Sequence, residues 1–270
     1  MLKDKKIGFI GSGAIAEALV KGLLNAGLVM PEQIIVNDIS QKRLEYMTEK
    51  YDVGNTLSIH EIARTADVLF LTVKPQIISR VLDSISPLLP PATLVISVAA
   101  GIMLEVLEKK LTCNPIVRVM PNTPVAVGEG MSVLALGKYA NEENGKLALD
   151  IFCSVGRAII MDEGMMDAVT GLSGSGPGYV FVLIDALADA GVRAGLSRQH
   201  SLIMAAQTLL GSAKMLLETG EHPGKLRDLV ASPGGTTIAG IHVLEQKNVR
   251  AALIDAVQAA TNRSQEMGKK

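Results

Sequence analysis

The chain has 270 residues, 48% of them hydrophobic and 20% charged, and its 26 Lys and Arg nearly balance 27 Asp and Glu for a net charge of -1. That apolar content supports more than one packed core, and the balanced charge leaves no basic surface suited to nucleic acid. Aromatic residues make up 3% with no Trp, so the stacking platforms of a single-strand nucleic-acid binder are also excluded.

The opening residues are charged, the apolar run 93–104 is too short for a bilayer and contains Gly101, and the run 180–190 is broken by Asp185 and Asp189. A cytosolic enzyme of two modest domains is expected, with no membrane or nucleic-acid partner. Cys113 and Cys153 have no metal or redox spacing and are expected as buried thiols in a reducing compartment. The four histidines are scattered, so no metal site is expected.

In chain order, Lys6-Ile7-Gly8-Phe9-Ile10 reads as a short buried strand running into Gly11-Ser12-Gly13-Ala14-Ile15-Ala16. Ala18, Leu19, Gly22 and Leu23 continue an apolar face at helical spacing, so a Gly-x-Gly-x-x-Ala motif sits where a strand turns into a helix. The first glycine makes the tight turn, the second lets a pyrophosphate approach the backbone, and Ala16 lets the helix lie close to the sheet. A second strand over 33–37 ends at Asp38, where an acid commonly holds the adenosine ribose, although Asp38 could equally open a turn with Ser40.

Apolar runs at 68–73, 94–98 and 116–120 predict three further buried strands, alternating with amphipathic helices at 77–89 and 104–111. Continuous apolar strands of this kind form a parallel sheet covered on both faces, which binds ligands outside the carboxyl ends of its strands. The candidate cofactor wall is therefore Ile10, Gly11, Ser12, Gly13, Ala14 and Ile15, with Asp38, Val73-Lys74-Pro75, Val98-Ala99-Ala100, Met120 and Asn122. Lys74 has a plain alternative as a surface cation ending a strand. Two further strands, 132–136 and 158–161, flank a helix at 142–153. The fold class is α/β, with a Rossmann doubly wound parallel sheet over 1–162 and an all-α C-terminal dimerisation domain over 163–270.

Helical patterns fill that second part, at 177–194, 198–219, 225–231, 236–246 and 250–267. Several are apolar around most of their circumference, and one small domain cannot bury them all, so a partner subunit is the expected cover. Between two of these helices runs Ser232-Pro233-Gly234-Gly235-Thr236-Thr237. Pro233 stops the preceding helix, the glycines let the backbone approach a bound group, and the amides opening the next helix lack intrahelical partners. The pattern suits a carboxylate; a tight helix-to-helix turn with a Thr cap reads the same way. His60 and His200 read as surface residues and His222 as a helix-start residue. His242, five positions after Thr237, faces away from that hydroxyl.

Six pieces in order carry a family resemblance: Gly8 to Gly13, Val73 to Pro75, Ser97 to Gly101, Arg118-Val119-Met120-Pro121-Asn122-Thr123-Pro124, Gly171-Leu172-Ser173-Gly174-Ser175-Gly176-Pro177, and Ser232 to Thr237. Along its whole length the chain resembles the pyrroline-5-carboxylate reductases, enzymes of the last step of proline synthesis. The resemblance implies NAD(P)H-dependent reduction of the C=N bond of 1-pyrroline-5-carboxylate. It also implies a helical domain interlocked with a second subunit, with homodimers often assembled into rings. It places the substrate against Glu163, Ser232, Gly234, Gly235, Thr236 and Thr237, with the Thr237 hydroxyl acting catalytically on the ring nitrogen. Glu163 has the alternative of a solvated acid in the interdomain turn.

The chain departs from the family pattern at Asp38 and Ile39, where many relatives carry a basic residue and a hydroxyl for a 2′-phosphate. Lys42 and Arg43 follow only a few positions on. NADH is thus expected to serve at least as well as NADPH. Ser58-Ile59-His60 likewise replaces an Asn that often touches the adenosine side. Two alternatives remain: a β-hydroxyacid-dehydrogenase-like oxidoreductase, which would need a catalytic Lys that residues 174–182 lack, and a non-enzymatic nucleotide-binding scaffold, which the hydroxyls of Ser232, Thr236 and Thr237 disfavour.

Overall fold

The computed structural model describes Leu2 and residues 4–268. The first half alternates strand and helix: β1 (Ile7–Ile10), α1 (Ala14–Asn25), β2 (Ile34–Asn37), α2 (Gln41–Tyr51), β3 (Gly54–Thr56), α3 (Ile59–Thr65), β4 (Val68–Leu71), α4 (Ile78–Ile85), β5 (Leu94–Ser97), α5 (Leu104–Lys110) and β6 (Ile116–Pro121). Then follow β7 (Gly130–Leu136), α6 (Glu142–Cys153), β8 (Gly156–Ile160) and the short α7 (Met166–Val169). Five helices complete the chain: α8 (Gly176–Arg193), α9 (Arg198–Thr219), α10 (Pro223–Val230), α11 (Thr236–Gln246) and α12 (Val249–Gly268). By backbone contacts the chain forms two compact units, residues up to 174 together with those from 260 on, and residues 175–259.

The eight strands of the first unit form one sheet in the order β3-β2-β1-β4-β5-β6-β7-β8. The first six are parallel, in the doubly wound order with its switch point between β1 and β4. The expectation of a parallel sheet needs correcting at its end, where β7 runs antiparallel to β6 and β8 follows β7. Only residues 122–129 connect β6 to β7, too few for the helical crossover that a parallel pair requires, so the chain must turn back. Strand β3 has three residues, Gly-Asn-Thr, and no apolar pattern that would reveal it in the sequence.

Alternate strand residues feed two apolar layers. On one face, Ala16, Leu19 and Leu23 of α1, Leu44 and Met47 of α2 and Ile151 and Phe152 of α6 pack on Phe9, Phe70, Ile96 and Val117. On the other, Ile62 of α3, Ile78 and Leu82 of α4 and Leu104 and Leu107 of α5 pack on Ile10, Leu69, Leu71 and Val95. Phe9 and Phe70 are cross-strand partners whose rings stack 4.5 Å apart, and Phe152 leans on Phe70 at 6.4 Å. Both cysteines are exposed rather than buried. Cys153 lies seven residues after exposed Lys146, on the same outward stripe of α6, and Cys113 sits in the loop before β6.

The second unit has little interior of its own. Helix α8 buries only Ala188, α9 only Ser201 and Ala205, and α10, α11 and α12 contribute no buried residue among those described. Phe181 is 64% exposed, and Val182, Ile203, Leu210, Leu229, Leu244 and Ile254 are exposed with it.

Helices α1 and α2 are tied by one carboxylate. Glu17 accepts hydrogen bonds from Arg43 Nη2 at 2.5 Å, the hydroxyls of Tyr46 and Tyr51 at 2.8 Å each, and Lys50 Nζ at 3.0 Å. Burial works against its charge, but those four donors outweigh burial and lower the carboxyl from 4.5 to about 2. Because the folded pKa lies below the unfolded one, the stabilisation is complete above the unfolded value and is lost as pH falls through the folded value. Glu17→Gln should cost about 1 kcal/mol at neutral pH, discounted from the full shift because the group borders solvent. Denaturant unfolding should show that cost shrinking between pH 4.5 and about 2; a cost independent of pH would contradict this account of Glu17.

Candidate active site

Strand register collects the candidate cofactor residues along one edge. Ile10 is level with Asn37 and with Leu71, Leu71 with Ser97, and Ser97 with Arg118, so the loops after β1, β2, β4, β5 and β6 all leave from the carboxyl side of the sheet. Gly11 turns the chain there with φ +95, and a Cβ at that position would lie 2.8 Å from the Thr72 carbonyl, so glycine is required. The Thr72 hydroxyl fastens the turn by donating to the Gly11 carbonyl at 2.5 Å.

Gly13 is the N-cap of α1 and brings no side chain to its amides, while a Cβ built on Gly13 meets nothing within 4 Å. The first-turn N–H groups, including those of Ala14 and Ile15, therefore point out of an uncapped helix end into open space. A nicotinamide dinucleotide fits this cradle, since unpaired amides and the positive end of the helix dipole suit its pyrophosphate.

Beside the cradle, Ser12 is fully buried and both its amide and hydroxyl donate to Asp38 Oδ2, at 2.9 and 3.1 Å, while the Ser40 amide donates to Asp38 Oδ1 at 3.0 Å. Burial raises the Asp38 carboxyl, but these bonds and one from Ile39 N–H outweigh it and hold it below its ordinary value. Asp38 thus opens the turn after β2, as one of its two sequence readings has it. Ile39, 99% exposed, offers an apolar face next to it.

The remaining wall residues are less uniform. Val73 and Val98 are half-buried, Ala99 is buried, Lys74 and Ala100 are exposed, and Pro75 starts a short 3-10 turn. Met120 packs against Gly174, where a Cβ would come within 2.6 Å of its methyl carbon. The Asn122 side chain is already engaged: Oδ1 accepts from Met131 N–H at 2.8 Å and Nδ2 donates to the Ser173 carbonyl at 3.2 Å.

Glu163 is not a solvated acid. Its Oε1 accepts from Arg118 Nη1 at 2.7 Å and from the Leu104 amide at 2.6 Å. Arg118 is only 8% exposed on β6, and a cavity of about 550 Å³ opens over the pair, lined also by Gly101, Met103, Asp167 and Gln265. The Arg118 pairing was missed in the sequence, although one arginine inside the apolar strand Ile116–Pro121 was the signal: a buried guanidinium demands an acid.

In the second unit, α10 ends at Val230 and α11 starts at Thr236. Gly234 has φ +67, a conformation that side chains disfavour, and the Gly235 amide closes the turn on the Ser232 carbonyl at 3.0 Å. A Cβ on Gly235 would lie 2.3 Å from Ser232 Oγ. Gly235 caps α11 without a side-chain bond, leaving the amides of Thr236, Thr237 and Ile238 unclaimed. Ser232 and Thr236 are exposed and Thr237 is half-buried. Three hydroxyls and a run of bare amides thus surround one turn, a set suited to a small carboxylate with a nitrogen beside it.

Among the described residues no group of three His, Cys, Asp or Glu could hold a metal ion, and no helix is long and apolar enough to cross a membrane. His222 accepts from the Gly224 amide at the start of α10, and His60 Nε2 lies 3.1 Å from Ser84 Oγ. His242 is exposed on α11.

Comparison with known proteins agrees with this geometry. Residues 163–267 match the family model described as pyrroline-5-carboxylate reductase dimerisation, and residues 6–101 match that described as NADP oxidoreductase, coenzyme F420-dependent. A pyrroline-5-carboxylate reductase of Methanosarcina acetivorans is 47% identical over 270 residues, covering all of both chains. The structure of a pyrroline-5-carboxylate reductase from Coxiella burnetii superposes with a TM-score of 0.94 at 38% identity, over 98% of this chain and 99% of that one. A Plasmodium falciparum pyrroline carboxylate reductase with NADP bound gives a TM-score of 0.87 at 36% identity, again over 98% and 99%.

Proposed function

The chain belongs to the pyrroline-5-carboxylate reductase family, and on that premise we propose that it reduces the C=N bond of 1-pyrroline-5-carboxylate to L-proline, using NAD(P)H. The observation that carries this reading is the intact turn from Ser232 to Thr237, with its glycines, hydroxyls and uncapped helix start. The amides of Thr236 and Thr237 and the hydroxyls of Ser232 and Thr236 hold the substrate carboxylate, and Gly234 and Gly235 let it approach the backbone. The Thr237 hydroxyl accepts the N–H of the ring. A cyclic imine already protonated in solution needs no strong general acid, and no His or Lys lies in the turn.

A bound reduced nicotinamide supplies the hydride, which with the proton already on nitrogen converts the imine to the amine. The chain's own residues hold that cofactor. The uncapped α1 start and Gly11, Ser12 and Gly13 take the pyrophosphate, Asp38 the adenosine ribose, and the segments Val73 to Pro75, Val98 to Ala100 and Met120 to Asn122, with Ile10, line the remainder. The Asn122 amide, engaged with Met131 and Ser173, contributes by fixing the loop after β6. We assign Glu163, held by Arg118, to the substrate as well.

The exposed apolar helices from α8 on are the surface for a second copy, and we read the active form as an obligate homodimer, with rings of dimers as a higher assembly. Obligate interfaces resemble a core cut in half and bury more than about 2,000 Å².

Three outcomes are expected. Thr237→Ala should lower turnover on the order of ten- to a hundredfold in steady-state kinetics, with cofactor affinity nearly unchanged, because one hydrogen bond to a developing charge is lost; wild-type turnover would remove Thr237 from the mechanism. NADH should support catalysis at least as well as NADPH, since the Asp38 carboxylate repels a 2′-phosphate, and Asp38→Ser should shift the ratio of the two kcat/KM values toward NADPH. A strong NADPH preference in the unmodified chain would contradict this. Phe181→Arg, on an exposed face, should dissociate the protein and abolish activity together in light scattering and assay; a fully active monomer would refute the dimer.

A further inference from the structure

Cofactor choice is usually attributed to the residue ending β2, but a second group lies within reach of the same ribose. Ser12 links the two. Its amide and hydroxyl go to Asp38, while its carbonyl accepts from Arg43 Nε at 2.5 Å. The Arg43 guanidinium, a fork well matched to phosphate, therefore shares Ser12 as a partner with the acid proposed to meet the ribose.

It is held on α1 instead. Nη2 is bonded to Glu17 Oε2 at 2.5 Å, the Gly13 carbonyl lies 3.5 Å from the same nitrogen, and the guanidinium carbon lies 4.9 Å over the Tyr46 ring. Glu17 is itself anchored by Tyr46, Lys50 and Tyr51, so the acceptor that holds Arg43 is rigid. Half-buried Arg43 and Glu17 form a closed pair.

We infer that Glu17 is a specificity-determining residue: by holding the Arg43 guanidinium against α1, it withholds from the adenosine ribose the cation that a 2′-phosphate would need. The inference rests on the dinucleotide site proposed above. Releasing Arg43 lets the guanidinium swing toward the ribose 2′ position, while Asp38 continues to favour the unphosphorylated nucleotide. Two terms then set the choice, repulsion by Asp38 and withholding by Glu17. Lys42, the exposed neighbouring cation, is the same in every variant compared and cannot produce a difference between them.

The test reads binding rather than turnover, by nucleotide fluorescence with NADH and NADPH separately. In Glu17→Gln the Kd for NADPH relative to NADH should fall about tenfold, the scale of one charge-assisted contact, and in Glu17→Gln/Arg43→Met that gain should vanish. Glu17→Asp keeps the charge on a shorter arm and should reproduce the shift; it carries the test if the Gln variant fails to fold. An unchanged ratio in folded variants overturns the inference. So does a gain that survives loss of Arg43, because the effect would then come from the charge of Glu17 alone. If the unmodified chain binds neither nucleotide, the dinucleotide site itself is overturned and the inference with it, whereas tight NADH binding with an unmoved ratio overturns the inference only.

Discussion

Two helix starts capped by glycine are the constraint around which the rest of the molecule is arranged. Backbone N–H groups are obligatory donors, and a helix leaves its first four without an internal partner. A Ser, Thr, Asp or Asn side chain can take one of them, as Ser58 does for α3, Asn141 for α6 and Ser197 for α9. At α1 and α11 the cap is a glycine, Gly13 and Gly235, with no side-chain cap hydrogen bond among the described residues. In the proposed function an anion completes each end: a pyrophosphate at the first and a carboxylate at the second. A glycine cap costs only a few tenths of a kcal/mol relative to Ser or Asp and leaves the first-turn amides free for a ligand.

The sheet supports the first of these ends. Two apolar layers and the Phe9, Phe70 and Phe152 cluster hold β1 and β4, and Gly11 and Thr72 turn the chain between them so that α1 begins at the switch point. Asp38 and Arg43 then grip Ser12 from two sides, one at its amide and one at its carbonyl. The pairing of Glu163 with Arg118 and with the Leu104 amide fastens the chain just after β8 to β6 and to the start of α5. The helical unit follows a different logic, because its apolar residues are exposed and await the cover of the proposed second copy.

Much of this was legible in the sequence, and the limits have physical reasons. Strands β1, β4 and β5 are apolar runs and β6 is one interrupted by Arg118, and the five C-terminal helices announce themselves by helical spacing and by Pro and Gly punctuation. Strand direction was not legible at β7, since an apolar run carries no sign; only the short 122–129 connection reveals the reversal. Cysteine exposure was misread because small thiols are usually interior, whereas Cys153 falls on the outward stripe of α6. The Glu163–Arg118 pair joins residues 45 positions apart, and no local pattern could join them. At Asn122 the motif match did not reveal that the side chain bonds Met131 and Ser173.

The most direct measurement is conversion itself: the purified chain is mixed with reduced nicotinamide cofactor and 1-pyrroline-5-carboxylate, and cofactor absorbance and L-proline are followed together. The account requires one cofactor to be oxidised for each L-proline formed, with no oxidation when the cyclic imine is omitted. Cofactor binding without consumption, or oxidation coupled to an oxo-acid with the imine left untouched, would contradict it.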